Sequence, residues 1–276
     1  MAETTDGAGS LFRRLEGNVV IPTDFARGPW DPRALHGGPV AALIAQAIEE
    51  LPDDGVPWFV SRLTVELERP VPVEPITITA EVTRPGRRVS GIDATIRLAE
   101  TGAILARGRA TRIREADIPL PHDDETLAPM LELETAPPGP EHGTDDEIRE
   151  TDYIAFHNEA VEHRFLDTTD PHSGAVFDWI RMIVPVLPDR PLTSLQRIAG
   201  AADFANGISH VLPFESYVFV NPDLTIHLFH PMQGEWVGMA STTHHGPHGI
   251  GMSDTALFDI HGRIGRSSQS LLLDLR

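Results

Sequence analysis

The chain has 276 residues, a formal net charge of -19, 41% hydrophobic residues and 23% charged residues. This length suits one large domain or two of ordinary size, and the composition is typical of a soluble globular protein. The absence of cysteine excludes disulfides, cysteine–metal sites and a cysteine nucleophile. Without an apolar run of 18 residues no membrane span is expected. The acidic balance argues against a nucleic-acid partner, which needs a basic surface.

The first ten residues are polar and acidic and contain glycine. They lack the basic, apolar and small-residue regions that define a secretory signal peptide. The sequence therefore predicts a cytoplasmic location.

The next hundred residues predict a strand, a helix and a sheet. A strand is expected from Leu11 to Ile21, and a mostly apolar helix from Val40 to Glu50 follows His36-Gly37-Gly38-Pro39. Proline is tolerated in the first turn of a helix. Apolar residues then alternate with polar ones in four runs, at residues 62–70, 76–82, 92–98 and 104–113. Alternation with a period of two predicts an antiparallel meander that has one buried face.

An acidic, proline-rich stretch divides the chain. Residues 115–150 contain twelve Asp or Glu residues, one Arg and six prolines. This composition predicts a linker on the surface rather than a domain. The predicted organisation is a first domain at 1–114, the linker at 115–150 and a second domain at 151–276.

The second domain repeats the plan of the first. Strands are predicted near 160–166 and 176–183, a helix at about 192–209, and further strands at 219–231, 235–243, 249–260 and 267–275. Leu63-Thr64-Val65 recurs as Leu224-Thr225-Ile226, 161 positions later (224 − 63). Two copies of one helix-and-sheet unit explain the length better than one large domain.

One carboxylate stands out in the second predicted helix. Asp203 lies among apolar residues in Gly200-Ala201-Ala202-Asp203-Phe204. A buried carboxylate is costly unless it is hydrogen-bonded, paired or used in chemistry. From this stretch alone, capping of a helix is an equally good explanation.

The order of these elements resembles the double hotdog fold, an α+β architecture of two tandem repeats, each a helix packed on an antiparallel sheet. The motifs resemble those of the type II acyl-CoA thioesterases. They are the His36–Pro39 segment, Leu63–Pro70 on the next strand, Ala202-Asp203-Phe204, Asn221-Pro222-Asp223, and Arg266–Ser270 on the last strand. The resemblance covers essentially the whole chain outside the linker.

The resemblance implies a catalytic set of an Asp, a Thr and a Gln that hold and polarise a hydrolytic water. Asp203 matches the Asp and Gln269 matches the Gln, whereas Asn221 stands where the family has Thr. An amide can still hydrogen-bond a water, so Asn221 is retained as a candidate. Asp203 would act as a general base, with Gln269 and Asn221 orienting the water. Gln269 as an ordinary strand residue and Asn221 as a turn residue are the structural alternatives.

Substrate contacts are expected at two glycine-containing segments and one hairpin. Backbone N–H groups at Gly37, Gly38 or Gly200 could polarise the thioester carbonyl. His36 could bind substrate or act as a base, as in the hotdog dehydratases, although a structural role is common for such a residue. Arg87 and Arg88 could bind coenzyme A phosphates, or lie at a solvated hairpin tip.

The resemblance therefore implies an acyl-CoA thioesterase that needs no cofactor and no metal. The histidines between Thr243 and Gly249 lack the spacing of a typical zinc site. The alternatives are a hotdog acyl-thioester hydratase or dehydratase, and a non-catalytic acyl-CoA-binding protein. Candidate walls of an acyl tunnel are Phe204, Ile208, Trp179 and Trp236, most of which could equally be core residues. Exposed strand edges predict a homodimer or a higher homo-oligomer.

Overall fold

The structure is a computed structural model that describes residues 9–52, 55–145, 151–170, 175–188 and 190–276. Within these residues the helices are α1 (Gly37–Glu49), α2 (Ala128–Leu131), α3 (Phe156–Glu159), α4 (Ser194–Ala202) and α5 (Ala205–Ile208). The strands before the linker are β1 (Phe12–Arg14), β2 (Val19–Pro22), β3 (Trp58–Leu67), β4 (Ile76–Arg84), β5 (Val89–Leu98) and β6 (Ile104–Arg114). Those after it are β7 (Val161–Asp170), β8 (Ala175–Met182), β9 (Tyr217–Val220), β10 (Asp223–Leu228), β11 (Val237–His245), β12 (Ile250–Asp259) and β13 (Gly262–Leu275).

The strands form one continuous sheet with internal two-fold order. The order is β1-β2-β4-β5-β6-β3-β10-β13-β12-β11-β8-β7, with β9 added beside β13. On the two sides of the β3–β10 junction the strands follow in corresponding order: β6 corresponds to β13, β5 to β12 and β4 to β11. Thr64 pairs with Thr225 at this junction, which is the equivalence that the sequence repeat predicts. The repeat in the sequence is thus a repeat in the fold.

The strands of the predicted meander exist, but their order differs from the prediction. β4, β5 and β6 are consecutive neighbours, whereas β3 pairs with β6 and not with β4. This arrangement leaves β3 free on its other side to pair with β10, which joins the two halves. Alternation along a strand specifies its faces but not its neighbours.

Two predicted elements are each divided in the structure. The strand expected from Leu11 to Ile21 is the hairpin of β1 and β2, in which Gly17 has a φ of 62°. The helix expected at 192–209 is interrupted, because α4 ends at Ala202 and α5 begins at Ala205. Asp203 therefore lies at a helix end and not in the middle of a helix.

The core lies between the sheet and the two longest helices, α1 and α4. Residues of α1 from Gly38 to Gln46 are buried, as is most of α4. Because α1 is apolar on nearly all sides, it is surrounded by the sheet and by α4. None of the helices in the described residues is long and apolar enough to cross a membrane.

The later part of the linker, residues 134–144, packs on the second half of the sheet. Trp179 is fully buried, and its indole Nε1 donates to the carbonyl of Pro138 at 2.8 Å. Trp179 and Trp236 belong to a small cluster with Phe258 and Ala136 of the linker. Trp179 is therefore a core residue, and neither tryptophan is among the residues that line the cavity next to Asp203.

Candidate active site

Asp203 lies where the helices of the two halves, α1 and α4, pack against each other. It is the residue at which α4 ends, and it is only 5% exposed. The first residue of α1 lies directly against it, because a Cβ on Gly37 would be 2.6 Å from both carboxylate oxygens. Gly38 faces the carbonyl oxygen of Gly200, to which an added Cβ would also come within 2.6 Å. Glycines at the start of α1 therefore allow this contact between the helices.

Two amide side chains hold the Asp203 carboxylate from the second half. Asn221, between β9 and β10, donates from Nδ2 to Oδ1 of Asp203 at 2.8 Å. Gln269, on β13 and 1% exposed, donates from Nε2 to the backbone carbonyl of Asp203 at 3.2 Å and lies 3.4 Å from its Oδ1. Gln269 is itself fixed, since its Oε1 accepts from the amide of Asn206 at 3.2 Å. The structure thus brings together the three residues that the sequence analysis selected as catalytic.

The fourth contact comes from the first half of the chain. Nδ1 of His36 lies 2.9 Å from Oδ2 of Asp203. The imidazole ring packs against Phe204, at a centroid distance of 4.7 Å, and against Phe156, at 5.2 Å, and these two rings stack on each other at 5.5 Å. Contact with this aromatic pair restricts the orientation of the imidazole ring. The sequence analysis placed His36 near the substrate but did not predict its pairing with Asp203.

Burial by itself raises the pKa of Asp203, but the hydrogen bond and charge of His36, with the hydrogen bonds from Asn221 and the Gly38 amide, outweigh it. The net direction of the pKa is downward. Hydrogen bonds to the charged form of a carboxylate favour that form. Asp203 is therefore ionised at neutral pH.

A cavity of about 420 Å³ opens beside this carboxylate. Its polar lining includes His36, Asp203, Asn221 and Asn206, whereas its apolar lining includes Trp30, Leu35, Val40, Leu67, Val71, Phe204, Phe214, Val220 and Leu272. A mostly apolar cavity with a few convergent polar groups is typical of a small-molecule site. A larger cavity of about 650 Å³ is lined by residues of β3, β6, β10 and β13, with Phe229, and contains none of the candidate residues.

The other predicted contacts fall in different places. Gly37 lines the cavity, and Gly38 lies beside it in the helix contact. Gly200 is buried, its Cα faces the sulfur of Met182, and it is not among the residues that line the cavity. Arg87 and Arg88 are exposed at the turn between β4 and β5 and are not among the lining residues.

Several lining residues were missed by the sequence analysis. Arg69 is the basic residue among them, and it lies in the Leu63–Pro70 motif, which was a usable signal. Trp30 and Phe214 pack against each other at 5.2 Å although 184 positions separate them (214 − 30). Nothing in the sequence indicates that contact. Among the described residues, no group of three or more His, Asp or Glu side chains is arranged to hold a metal ion.

Solved structures of known proteins share this fold. A conserved protein with a hot dog fold from Alicyclobacillus acidocaldarius matches with 13% identity and a TM-score of 0.69, covering 95% of each chain. Acyl-CoA thioesterase II TesB2 of Mycobacterium marinum matches with 17% identity and a TM-score of 0.67, covering 96% of each chain. A tesB protein of Mycobacterium avium subsp. paratuberculosis matches with 12% identity and a TM-score of 0.66, covering 95% of this chain and 96% of the other. The comparison with curated proteins found no match.

The double hotdog architecture expected from the sequence is confirmed by these structures and by the sheet. The model of the acyl-CoA thioesterase C-terminal domain matches residues 133–273, and that of the N-terminal domain matches residues 26–113. Together these matches span most of the chain. The protein therefore belongs to the acyl-CoA thioesterase family and is a thioester hydrolase.

Proposed function

We propose that this protein hydrolyses acyl-CoA in the cavity beside Asp203. Water and the thioester would give a carboxylic acid and coenzyme A. The observation that carries the proposal is the buried, ionised Asp203 carboxylate, which Asn221 and Gln269 hold at the edge of an apolar cavity. Its negative charge would activate the hydrolytic water. The proposal needs no metal or cofactor.

Asn221 supports this chemistry although it replaces the Thr of related enzymes. Its Nδ2 donates one hydrogen bond to Asp203 and a second to the carbonyl of Asp223, at 3.3 Å. Both amide hydrogens are thereby used, so Oδ1 is the atom left to accept a hydrogen bond from water. In this proposal Asn221 holds the carboxylate by its donor and the water by its acceptor.

Gly37 is the proposed donor to the thioester carbonyl oxygen. It is the first residue of α1, and among the described residues no acceptor is hydrogen-bonded to its amide. Amides at the start of a helix have no partner within the helix, and they stabilise negative charge that develops nearby. Gly38 is less suited to this role because its amide is directed at His36 and Asp203.

The proposed contacts to coenzyme A are at the mouth of the cavity. Arg69 is exposed there, and the guanidinium of Arg276 lies 5.2 Å from the centre of the Trp30 ring. Arginine binds phosphate through charge-assisted hydrogen bonds. Arg69 is therefore a better candidate than Arg87 or Arg88 for binding the phosphates.

A cytoplasmic location and a homo-oligomer remain proposals that rest on the sequence. The outer strands are partly covered by the chain itself, because Leu11 and Phe12 donate to the carbonyls of Pro185 and Val186, and Thr144 pairs with Phe165. Strand edges therefore support a homo-oligomer less strongly in the structure than they did in the sequence. Multi-angle light scattering would measure the mass in solution.

The test of the proposed function is a panel of saturated acyl-CoAs of short, medium and long chain, followed by release of free thiol. An enoyl-CoA assayed for hydration is included, because a hydratase would act on it without releasing thiol. We expect thiol release on at least one chain length and no hydration. Hydration without thiol release, or tight acyl-CoA binding without turnover, would contradict the proposal.

A further inference from the structure

A row of polar side chains, three of them basic, crosses the outer face of the sheet where the two halves join. Its members pair with one another across four neighbouring strands: Thr111 on β6, Arg62 on β3, His227 on β10 and Arg266 on β13. The strand neighbours of Arg62 and His227, which are Leu63 and Ile226, are each 1% exposed and belong to the core. Because side chains alternate between the two faces of a strand, the row lies on the face opposite the core.

This row lines the cavity of about 650 Å³, which we call the outer groove. Arg263 and Phe229 also line it, and it shares no residue with the cavity of the candidate active site. The pairing of β3 with β6 is irregular at the edge of the groove, with a register shift between Val60 and Arg62. Bulges of this kind redirect side chains and are common beside functional sites. The outer groove is therefore a separate site that is lined by basic groups.

Arg62 is the arginine of the outer groove whose charge is not balanced. Arg266 forms an ion pair with Asp254 at 2.5 Å, and Arg263 forms one with Glu134 at 2.7 Å. Within the described residues Arg62 has no hydrogen bond or ion pair from its side chain, and its Nε is buried without a partner. A buried charged donor without an acceptor costs free energy. An anion bound in the groove would supply that acceptor.

The stability of the sheet does not explain the row. Arg62 lies directly opposite His227, and His227 lies directly opposite Arg266. Like charges opposite each other on neighbouring strands are destabilising. The spacing suits a bound anion instead, because Arg62 and Arg266 are two strands apart, about 10 Å. Two long guanidinium side chains can reach one phosphate across this distance, with a ring N–H of His227 between them.

The charge of the whole protein favours a small ligand for the outer groove. The formal net charge is -19, so the surface as a whole repels a nucleic acid or an anionic membrane. A small anion needs only the local charge of the groove. Phe229 is 60% exposed there, and an exposed aromatic ring is a surface on which a nucleobase can stack. A phosphate joined to an aromatic base matches both the arginines and the phenyl ring.

We infer that the outer groove binds a nucleoside phosphate, with the phosphate on Arg62 and Arg266 and the base on Phe229. Two sources share this chemistry, a free nucleotide and the nucleotide part of coenzyme A. The inference does not rest on the proposed function, because the residues that carry it lie outside the candidate active site.

The test is isothermal titration calorimetry near neutral pH, in a buffer without phosphate or sulfate. We expect ADP to bind the parent, inorganic phosphate to bind more weakly, and adenosine not to bind. Arg62→Gln should weaken ADP binding by about tenfold to 100-fold, the effect of losing hydrogen bonds to a charged group. Phe229→Ala should weaken the binding of ADP but not of phosphate. No binding of ADP to the parent, or equal binding of ADP and adenosine, would overturn the inference.

Two control variants show where the nucleotide binds. Arg84→Gln changes an exposed arginine on β4 that lines neither cavity, and it should bind ADP like the parent. Arg69→Gln changes the arginine at the mouth of the candidate active site. If Arg69→Gln weakens ADP binding and Arg62→Gln does not, the nucleotide occupies that cavity and the inference is overturned.

Titration with coenzyme A then separates the two sources of the ligand. Loss in Arg62→Gln of a coenzyme A site that the parent has would identify coenzyme A as the ligand of the outer groove. An unchanged coenzyme A titration, together with weakened ADP binding, would identify a free nucleotide. Coenzyme A and ADP titrations that are both unchanged in Arg62→Gln would overturn the inference.

Discussion

Gly37 and Asp203 are in direct contact, although one begins the helix of the first half and the other ends the helix of the second. A Cβ at Gly37 would lie 2.6 Å from each carboxylate oxygen, well inside van der Waals contact. The same two residues border the cavity. The position of the carboxylate therefore depends on the absence of a side chain at Gly37.

Gly37→Ala is expected to reduce kcat/KM by at least about tenfold, because the methyl group must displace the carboxylate. The contrasting variant is Gly200→Ala in the same helix pair. Its Cβ would meet the sulfur of Met182 at 2.4 Å, and a flexible methionine can move aside. Gly200→Ala should act mainly on stability: it should lower the melting temperature, and it should reduce kcat/KM less than Gly37→Ala does. Steady-state kinetics and thermal unfolding of both variants check this, and equal activities would contradict it.

Asn221→Asp is expected to be more harmful to activity than Asn221→Ala. The replacement changes the donor at 2.8 Å from Asp203 into a second carboxyl group. Two carboxylates at this distance disfavour double ionisation, so the pair would share a proton and the charge that activates water would be weakened. We expect a loss of about 10²-fold in kcat for Asn221→Asp. For Asn221→Thr, which restores the residue of related enzymes, kcat should stay within about tenfold of the parent value. A kcat for Asn221→Asp above those of Asn221→Ala and Asn221→Thr would refute this role of Asn221.

Val40 is expected to limit the bulk of the acyl group. It lies one turn after Gly37 on α1, is 1% exposed and borders the cavity. Residues three apart on a helix lie on the same face. Val40→Ala should raise kcat/KM for long or branched acyl-CoAs relative to acetyl-CoA, and Val40→Phe should lower it. Parallel changes for all substrates would show that Val40 does not contact the acyl group.

The pH dependence of the free energy of unfolding should report the burial of the Glu49 carboxylate. Glu49 lies at the end of the α1–α4 pair that is opposite to Asp203. Its carboxylate accepts from Oγ1 of Thr193 and from Nε2 of Gln196, each at 2.8 Å. Burial of the carboxylate group raises the pKa of Glu49, although its hydrogen bonds to Gln196 and Thr193 oppose the shift and the residue as a whole is exposed. A raised pKa means that the folded protein binds this proton more tightly than the unfolded chain does.

The stabilisation from Glu49 is therefore fully present below its unfolded pKa, and it is lost as the pH rises through the raised folded pKa. Glu49→Gln removes this dependence. Between pH 4 and pH 7 the free energy of unfolding of the parent should fall relative to that of Glu49→Gln. Urea unfolding of both proteins at several pH values measures the difference. A parent that gains stability over the variant as the pH rises would contradict the sign.

The strands and the repeat could be predicted from the sequence because their information is local. Alternation identified β3 to β6, and the recurrence of Leu63-Thr64-Val65 predicted that β3 and β10 are equivalent strands, although not that Thr64 and Thr225 pair. The pairing of β3 with β6 could not be predicted, because the period of two does not identify a strand's neighbours. The break of the second helix at Asp203 was also missed, since apolar spacing continues through it.

The members of the site were easier to predict than their arrangement. Asp203, Asn221 and Gln269 were selected by motif, and the structure places them in one hydrogen-bonded group. The contact between His36 and Asp203 joins residues 167 positions apart (203 − 36) and depends on the antiparallel packing of α1 and α4. No periodicity in the sequence reports such a contact. The glycines beside His36 were the one local signal that something approaches this helix closely.

The most direct test of the account is the rate of thiol release from the preferred acyl-CoA by the parent, Asp203→Asn and Asp254→Asn. Asp254 is a partly exposed carboxylate paired with Arg266, away from the cavity, so Asp254→Asn controls for the substitution itself. The account predicts that Asp203→Asn loses at least about 10²-fold in kcat while it remains folded, and that Asp254→Asn matches the parent. A folded Asp203→Asn that hydrolyses the substrate at the parental rate would contradict it.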